Sequence, residues 1–354
     1  MKLSVNRVLL LVLGLAYIVI IILKRSLYSP GLVDWKTIAI LSSLIVVNTG
    51  LMYSGGLNFI SYEIMKITKG QRQLMIISIL LTSFLAMFLT NDVSLLILIP
   101  MTVAIGKFSR QNLDDVIIFQ AIAANVGSML MPFGNPQNII IFRTFGLTFE
   151  KFLLSMLPIF LVSIGVLLLF SLVFKDKRIE TVEGGQKPHI FFFALNLVLL
   201  STAIIGILLN ASILLFIFII GISLLSLLFF EPRTVLKVDY VLIVVFILIF
   251  LVMNSVRSLI SIPIEGGAIQ VFFSSMILSQ FISNVPATVL FGKVPYWVAL
   301  SYGVNIGGNG TVIASLANII ALRNLSGKNF LKFNKYSFLF LLVTAAAGFL
   351  ILFR

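Results

Sequence analysis

The sequence predicts an all-α polytopic membrane protein built as an inverted-topology repeat, with about nine transmembrane helices, two re-entrant helical hairpins and two interrupted helices. Three observations predict this class. Hydrophobic residues make up 60% of the 354 residues and charged residues only 10%, which is too apolar for a soluble domain of this length. Several apolar runs approach the ~20 residues that span a bilayer. The basic residues lie in short segments between these runs, and similar motifs occur in both halves.

Nine apolar runs are predicted to cross the membrane. They are residues 8–23, 37–55, 116–143, 152–174, 189–208, 211–230, 239–256, 296–323 and 338–353. Two of these runs contain the helix-breaking sequences GNPQN (134–138) and GVNIGGNGT (303–311), so we expect interrupted helices there. Backbone groups freed at membrane depth are tolerated only where protein or a polar cavity satisfies them. The two breaks therefore indicate a binding site, although glycines in membrane helices also serve close packing.

Two further apolar stretches, 74–106 and 266–294, are predicted to be re-entrant hairpins. The first has Arg72 before it and Lys107 after it, and it is broken in the middle by TND (90–92). Each arm of about 16 residues would form ~24 Å of helix, which is shorter than the ~30 Å hydrocarbon core. Because basic flanks favour the cytoplasm, we expect this hairpin to enter from and return to that side.

The distribution of basic residues predicts the orientation. With the first hairpin re-entrant, the inside segments hold 17 Lys and Arg residues and the outside segments hold 8, as the positive-inside rule requires. The N-terminus is then cytoplasmic and the C-terminus outside, in a multi-pass protein of the plasma membrane whose partner is the lipid bilayer. This distribution also accounts for the net charge of +13, so no nucleic-acid partner is expected.

The two halves of the chain are predicted to be repeats of opposite orientation. The first repeat is 1–174, the cytoplasmic linker is 175–188, and the second repeat is 189–354, with the run at 189–208 reversing the second copy. Six residues recur 180 positions later: Asn125, Gly127, Asn138, Ile139, Ile140 and Arg143 correspond to Asn305, Gly307, Asn318, Ile319, Ile320 and Arg323. The hairpin tips FLTND (88–92) and FISNV (281–285) also match, as do VDW (33–35) and VDY (238–240). Inverted repeats of this kind occur in many secondary transporters.

Asp92 is the acidic residue that lies deep inside an apolar run. A carboxylate costs roughly 3 kcal/mol or more at the centre of a membrane helix, so its presence requires a reason. Two interpretations stay open. Asp92 could stabilise the amino end of the returning half-helix, or it could bind a cation or a proton. The two roles are compatible.

At these motifs the sequence resembles the ion transporter superfamily, which includes citrate and divalent-anion permeases, membrane subunits of arsenite/antimonite pumps and sodium/proton antiporters. The resemblance is carried by FLTNDVSLLILIP, ANVGSMLMPFGNPQNIIIF, SQFISNVPATVL and GVNIGGNGTVIASLANIIAL. It implies one Na⁺ at Thr90, Asn91, Gly127 and Ser128, and another at Ser283, Asn284, Gly307 and Gly308. The predicted substrate and ion site further includes Asp92, Asn125, Gly134, Asn135, Asn305, Asn309, Gly310 and Thr311.

The function predicted from these features is secondary active transport of a small anion or oxyanion, arsenite- or antimonite-like, coupled to protons or sodium by alternating access. A sodium/proton antiporter is the alternative. A dicarboxylate or citrate symporter is less favoured, because Asp92 would repel a carboxylate and Val285 has no hydrogen-bonding side chain. No catalytic motif indicates an enzyme. No resident cofactor is expected beyond Na⁺ or H⁺ as the coupling ion, and the expected partners are a small inorganic or organic ion and a second copy of the chain.

Overall fold

The computed structural model describes residues 5–24, 30–174, 176–179, 187–259, 266–326 and 329–354. This part of the chain is helical and contains no β-strand beyond an isolated bridge between Gly70 and Arg178. Its α-helices are α1 (Val5–Lys24), α2 (Trp35–Tyr53), α3 (Gly56–Met65), α4 (Gln71–Phe88), α5 (Asn91–Phe108), α6 (Asp114–Met129), α7 (Pro136–Thr144), α8 (Phe149–Ser171), α9 (Ile190–Leu208), α10 (Ile213–Phe230), α11 (Tyr240–Leu259), α12 (Gly267–Ile282), α13 (Asn284–Phe291), α14 (Trp297–Ile306), α15 (Leu316–Asn324) and α16 (Phe330–Leu352).

Eight helical segments in the described residues are long and apolar enough to cross a membrane, by length and composition. They are α2, α4, α5, α8, α9, α10, α11 with the turn before it, and α16. The apolar stretches Asn6–Ile22 of α1 and Gly267–Ile282 of α12 are shorter, and the two interrupted helices are formed by α6–α7 and α14–α15. The predicted class, an all-α polytopic membrane protein, is confirmed.

One helix was not predicted. Helix α3 occupies Gly56–Met65, within a segment that the sequence indicates only as a connection between membrane runs. Its apolar residues share the helix with Asn58, Ser61 and Glu63, so it lacks the continuous apolar run by which the membrane helices are recognised. It packs against α2, α4 and α5. The predicted linker 175–188 lies mostly outside the described residues.

The first hairpin enters and leaves at the same end of the helical bundle. In the first turn of α4, the guanidinium of Arg72 donates to the Phe174 carbonyl oxygen at 2.8 and 3.0 Å. After α5, the side chain of Gln111 donates to the carbonyl oxygen of Arg178. The tip between the arms lies at the break of α6–α7, where Asn91 Nδ2 is 3.3 Å from Asn125 Oδ1. Each arm has 18 residues, or about 27 Å of helix, slightly longer than predicted.

The two interrupted helices run in opposite directions. At the start of α6, the carboxylate of Asp114 accepts hydrogen bonds from the backbone N–H and hydroxyl of Ser326, which follows α15. At the start of α14, the ring of Trp297 stacks on Phe152, which also contacts Phe142 near the end of α7. Each interrupted helix therefore begins where the other ends, as an inverted repeat requires.

Packing between the halves is reciprocal. Helix α1 packs on α11 and α10 packs on α2, while α5 contacts α15 and α13 contacts α7. Each contact between an element of the first half and one of the second is thus matched by a contact between the equivalent elements with the halves reversed. The assignment of 1–174 and 189–354 as the two repeats, and the side of the membrane that each end faces, remain predictions.

The opposed hairpins can be tested by single-cysteine labelling, because the chain has no cysteine of its own. Lys69 and Lys107 flank the first hairpin, Arg257 and Lys293 lie at the ends around the second, and all four are exposed. We expect an impermeant thiol reagent to label cysteines at 257 and 293 from outside, and those at 69 and 107 only from inside. Labelling of positions 69 and 107 from opposite faces would contradict the re-entrant hairpin.

Candidate functional site

The centre of the molecule is a network of side-chain amides at the two helix breaks. Asn125 Nδ2 donates to Asn318 Oδ1 at 3.0 Å, and Asn305 Nδ2 donates to Asn138 Oδ1 at 2.8 Å. In each pair, one residue lies before the break of its own half and the other lies after the break of the opposite half. The two bonds are therefore equivalent under the 180-residue repeat, and together they join the two halves.

The residues that begin the second half-helices add a second reciprocal pair of bonds. Asn135 is the N-cap of α7 and accepts from Asn138 N, and Ser315 is the N-cap of α15 and accepts from Ala317 N. Across the interface, Asn135 Nδ2 donates to Asn305 Oδ1 at 3.0 Å, and Ser315 Oγ donates to Asn125 Oδ1 at 3.0 Å. Residues 135 and 315 are again 180 positions apart.

The carbonyl oxygens freed by the breaks accept hydrogen bonds from these amides. Asn138 Nδ2 contacts the carbonyl oxygens of Ser128 and Met131 at 3.1 and 3.0 Å. Asn318 Nδ2 contacts those of Gly308 and Thr311 at 2.8 and 2.9 Å. Each amide therefore adds hydrogen bonds to buried carbonyl oxygens at its own break, where an unsatisfied acceptor is costly in a low-dielectric interior.

Gln280 has the same role in the second half but no equivalent in the first. Its Nε2 donates to the carbonyl oxygens of Gly307 and Asn309 at 2.7 and 3.1 Å. Its Oε1 accepts from the backbone N–H of Thr311 at 2.9 Å. The tip alignment places Met87 opposite Gln280, so the repeat gives no signal for this residue. Asn138, Asn318 and Ser315 were also not among the predicted site residues, although Asn138 and Asn318 are among the residues that recur between the halves.

The predicted tip residues lie beside this network. Asn91 Nδ2 is 3.3 Å from Asn125 Oδ1 and 3.5 Å from Ser315 Oγ. In the second tip, Ser283 Oγ donates to the carbonyl oxygen of Ala314 at 3.2 Å, and Asn284 Nδ2 lies close to Gly308. Ser283 has a φ of +74°, a conformation that is strained for a residue with a side chain. The tips of the two hairpins therefore lie against the breaks of the two interrupted helices.

Two of the predicted glycines have a packing role in the structure. A Cβ atom added at Gly127 would lie 2.1 Å from the carbonyl oxygen of Ser83 in α4. One added at Gly307 would lie 2.9 Å from the carbonyl oxygen of Met276 in α12. Both glycines therefore let an interrupted helix approach the first arm of its hairpin closely.

The remaining predicted site residues form hydrogen bonds or packing contacts at the two helix breaks. Ser128 Oγ donates to the carbonyl oxygen of Asn125 and accepts from Asn135 Nδ2, each at 3.1 Å. Asn309 Oδ1 accepts from Asn125 Nδ2 at 3.3 Å. Gly134 packs against the backbone of Ser128. Gly310 has a φ of +100° and donates its N–H to Ser337 Oγ.

A cavity of about 340 Å³ opens beside the first tip. Its apolar wall is formed by α2, α5 and α15, through residues such as Ile45, Leu96 and Ile319. Its polar lining includes Asn6, Asn48, Thr49, Thr90, Asp92, Lys237, Asp239 and Arg323. Of the predicted site residues in the described chain, Thr90 and Asp92 line this cavity, whereas the others belong to the network or to the second tip.

Asp92 lies in the first turn of α5, where a negative charge is favourable. Its Oδ1 is buried and has no hydrogen-bond partner among the described residues. The N-cap of this helix is Thr90, which makes no side-chain capping bond. Asp92 therefore combines a favourable position at a helix amino end with an oxygen left free beside the cavity.

Comparison with known proteins identifies the class of protein to which this fold and site belong. The chain matches the citrate transporter family over residues 3–294. The chain is therefore a member of the citrate transporter family, a multi-pass membrane transporter rather than an enzyme.

Among its relatives, an uncharacterized transporter of Methanocaldococcus jannaschii is 36% identical over 321 residues, which is 87% of each chain. Inner membrane protein YbiR of Escherichia coli is 32% identical over 346 residues, covering 91% of this chain and 89% of YbiR. The silicon efflux transporter LSI3 of Oryza sativa subsp. japonica is 25% identical over 171 residues, covering 44% of this chain and 35% of LSI3. The similarity to the first two extends over nearly their whole length.

The packing role of Gly127 predicts a stability effect. Gly127→Ala places a methyl group against the α4 backbone, and overpacking of this kind costs typically about 1–3 kcal/mol. Gly165→Ala is the matched control, because a Cβ at this position in α8 meets nothing within 4 Å. We expect a lower melting temperature in detergent for Gly127→Ala and an unchanged or higher one for Gly165→Ala. Equal melting temperatures for the two variants would contradict the close packing of α6 on α4.

Proposed function

We propose that this chain is a secondary active transporter of a small oxyanion or oxyacid of the arsenite type, coupled to protons or sodium through Asp92 and working by alternating access. It would act in the plasma membrane with a cytoplasmic N-terminus and an external C-terminus. The observation that carries the proposal is a difference between equivalent residues of the two halves: one arginine–aspartate pair is closed and its counterpart is open.

The closed pair is at the end of the molecule predicted to face outside. Arg143, in the last turn of α7, has its Nη2 3.4 Å from both carboxylate oxygens of Asp34. Its Nε donates to Thr37 Oγ1 at 2.8 Å, and its Nη1 to Asn210 Oδ1 at 3.3 Å. These bonds join α7, the start of α2 and the α9–α10 connection.

The equivalent pair in the second half is Arg323 with Asp239. Asp239 accepts from Leu242 N at 3.0 Å at the start of α11, just as Asp34 accepts from Thr37 N at 3.1 Å. Among the described residues, however, Arg323 and Asp239 form no ion pair. Both line the cavity, and Asp239 accepts instead from the side chain of Asn6.

This asymmetry supports alternating access because the two pairs are related by the repeat. If the halves exchange conformations, Arg323 and Asp239 close while Arg143 and Asp34 separate, and a cavity opens at the other end. Such an exchange moves a bound solute across the barrier without a continuous pore. The present structure then corresponds to the state open towards the predicted cytoplasmic side.

The proposed substrate class is supported by the size and chemistry of the cavity. About 340 Å³ accommodates a small solute, and the carboxylate of Asp92 disfavours a multiply charged anion such as citrate. The rice relative is a silicon efflux transporter, and its solute is also small, because silicon in water is present as a hydroxylated acid. A sodium/proton antiporter is the second candidate, favoured by the unpartnered Oδ1 of Asp92.

Asp92→Asn tests the coupling role. The amide keeps the shape of the side chain but cannot ionise, so we expect at least tenfold less arsenite accumulation in proteoliposomes under a proton or sodium gradient. Any residual exchange should not depend on pH. Glu150→Gln is the matched control, because Glu150 also lies in the first turn of a helix but is exposed. Unchanged accumulation and an unchanged pH profile in Asp92→Asn would show that the residue only stabilises α5.

The exchange of ion pairs makes a separate prediction. Arg143→Gln and Arg323→Gln should each reduce accumulation by at least tenfold, because each arginine closes one end in one of the two states. The exposed Arg257 provides the control, and Arg257→Gln should transport like the wild type. Wild-type transport by Arg323→Gln alongside loss in Arg143→Gln would contradict the exchange, since it would leave the open pair without a role.

A further inference from the structure

Asn48, in the middle of α2, is buried in the wall of the cavity. Its exposed fraction is 0%, and both Oδ1 and Nδ2 are unpartnered among the described residues. The residue lines the cavity together with Asp92, whose Oδ1 is also unpartnered. Buried polar atoms without partners are uncommon in native proteins and call for an explanation.

Neighbouring polar residues donate to carbonyl oxygens of their own helices. Thr49, the next residue, donates its hydroxyl to the carbonyl oxygen of Ile45 at 2.7 Å. Asn196 on the adjacent helix α9 donates its amide to the carbonyl oxygen of Phe192 at 2.9 Å. The asparagines of the central network are bonded to one another. Asn48 thus leaves both a donor and an acceptor unused in the wall of the cavity. Because neither atom is exposed in this state, a solute contacts them only when the wall closes around it.

The free atoms specify the chemistry of that solute. Asn48 Nδ2 requires an acceptor, whereas Asn48 Oδ1 and Asp92 Oδ1 require donors or a positive charge. A fully ionised oxyanion has no hydrogen to donate and would leave both oxygens unsatisfied. An undissociated hydroxylated acid supplies hydroxyl hydrogens to the two oxygens and an oxygen to the amide.

The charges at the cavity agree with an uncharged solute. Its lining includes two cationic side chains, Lys237 and Arg323, and two acidic ones, Asp92 and Asp239. A site for a fully ionised anion would instead be expected to carry an excess of positive charge. The balanced lining therefore offers no net attraction for an anion.

We infer that Asn48 is a specificity-determining residue that, with Asp92, recognises a small undissociated oxyacid in the cavity by hydrogen bonds to its hydroxyl groups. The inference rests on the proposed transport function and deepens it by naming the protonation state of the substrate. A residue kept for binding rather than for folding has a distinct signature. Replacing its unpartnered polar atoms by an apolar side chain of similar volume should not destabilise the protein, although it should weaken transport.

The test compares Asn48→Leu with Asn196→Leu in purified protein and in proteoliposomes. Asn196 is the matched control, because it is 0% exposed and has an unpartnered Oδ1 but does not line the cavity. The probes are arsenous acid and orthosilicic acid, both largely undissociated at pH 7, and citrate. We expect Asn48→Leu to keep or raise the melting temperature and to increase KM for the acid probes about tenfold or more. Asn196→Leu should leave KM unchanged.

The outcomes separate this inference from the proposed function. If the wild type transports an acid probe and Asn48→Leu does so with the same KM, Asn48 has no role in specificity and the inference is wrong. If the wild type transports citrate in preference to both acids, the protonation state inferred here is wrong while transport itself stands. If the wild type transports none of the three and instead exchanges Na⁺ for H⁺, the proposed function and this inference both fail.

Discussion

The structure depends on the satisfaction of backbone groups at two helix breaks inside an apolar bundle. A broken helix frees carbonyl and amide groups that lipid cannot hydrogen-bond. Here the amide of Asn138 or Asn318 satisfies carbonyl oxygens of its own break and also contacts an asparagine of the opposite half. The asparagine side chains that hydrogen-bond the backbone at each break are therefore the same ones that join the two halves. As a result, the breaks lie at the centre of the molecule and the hairpin tips lie against them.

A symmetric centre with asymmetric ends is the arrangement that alternating access requires. Two kinds of bond across the centre occur in equivalent pairs, Asn125–Asn318 with Asn305–Asn138 and Asn135–Asn305 with Ser315–Asn125, whereas Gln280 bonds only the second break. The ends differ, because Arg143 contacts Asp34 while Arg323 and Asp239 line an open cavity. Under the proposed mechanism, a sequence that encodes nearly the same contacts twice would have two arrangements of similar energy, and a solute or ion gradient would shift the population between them. Asp92 lies where such a shift could be coupled to a charge.

The sequence alone predicted the helical class, the hairpins and the breaks, because long apolar runs, basic flanks and paired glycines are local signals. It also identified Asn125 and Asn305 through the repeat. Four features required the structure. Helix α3 has no continuous apolar run, and Gln280 has no counterpart in the first half. Asn48 lies in an ordinary membrane helix, where only the packing around it reveals that its amide has no partner in the part of the chain that the structure describes. The packing role of Gly127 likewise depends on the approach of α4, which no local pattern encodes.

The most direct test of alternating access is a pair of distances measured by pulsed electron paramagnetic resonance between spin labels in this cysteine-free chain. One pair, at Trp35 and Thr144, spans the closed end, and the equivalent pair, at Tyr240 and Asn324, spans the open end. Under an imposed ion gradient with arsenite present, we expect a second population in which the first distance lengthens while the second shortens. Two distances that stay fixed, or that change in the same direction, would contradict the exchange of states between the two halves.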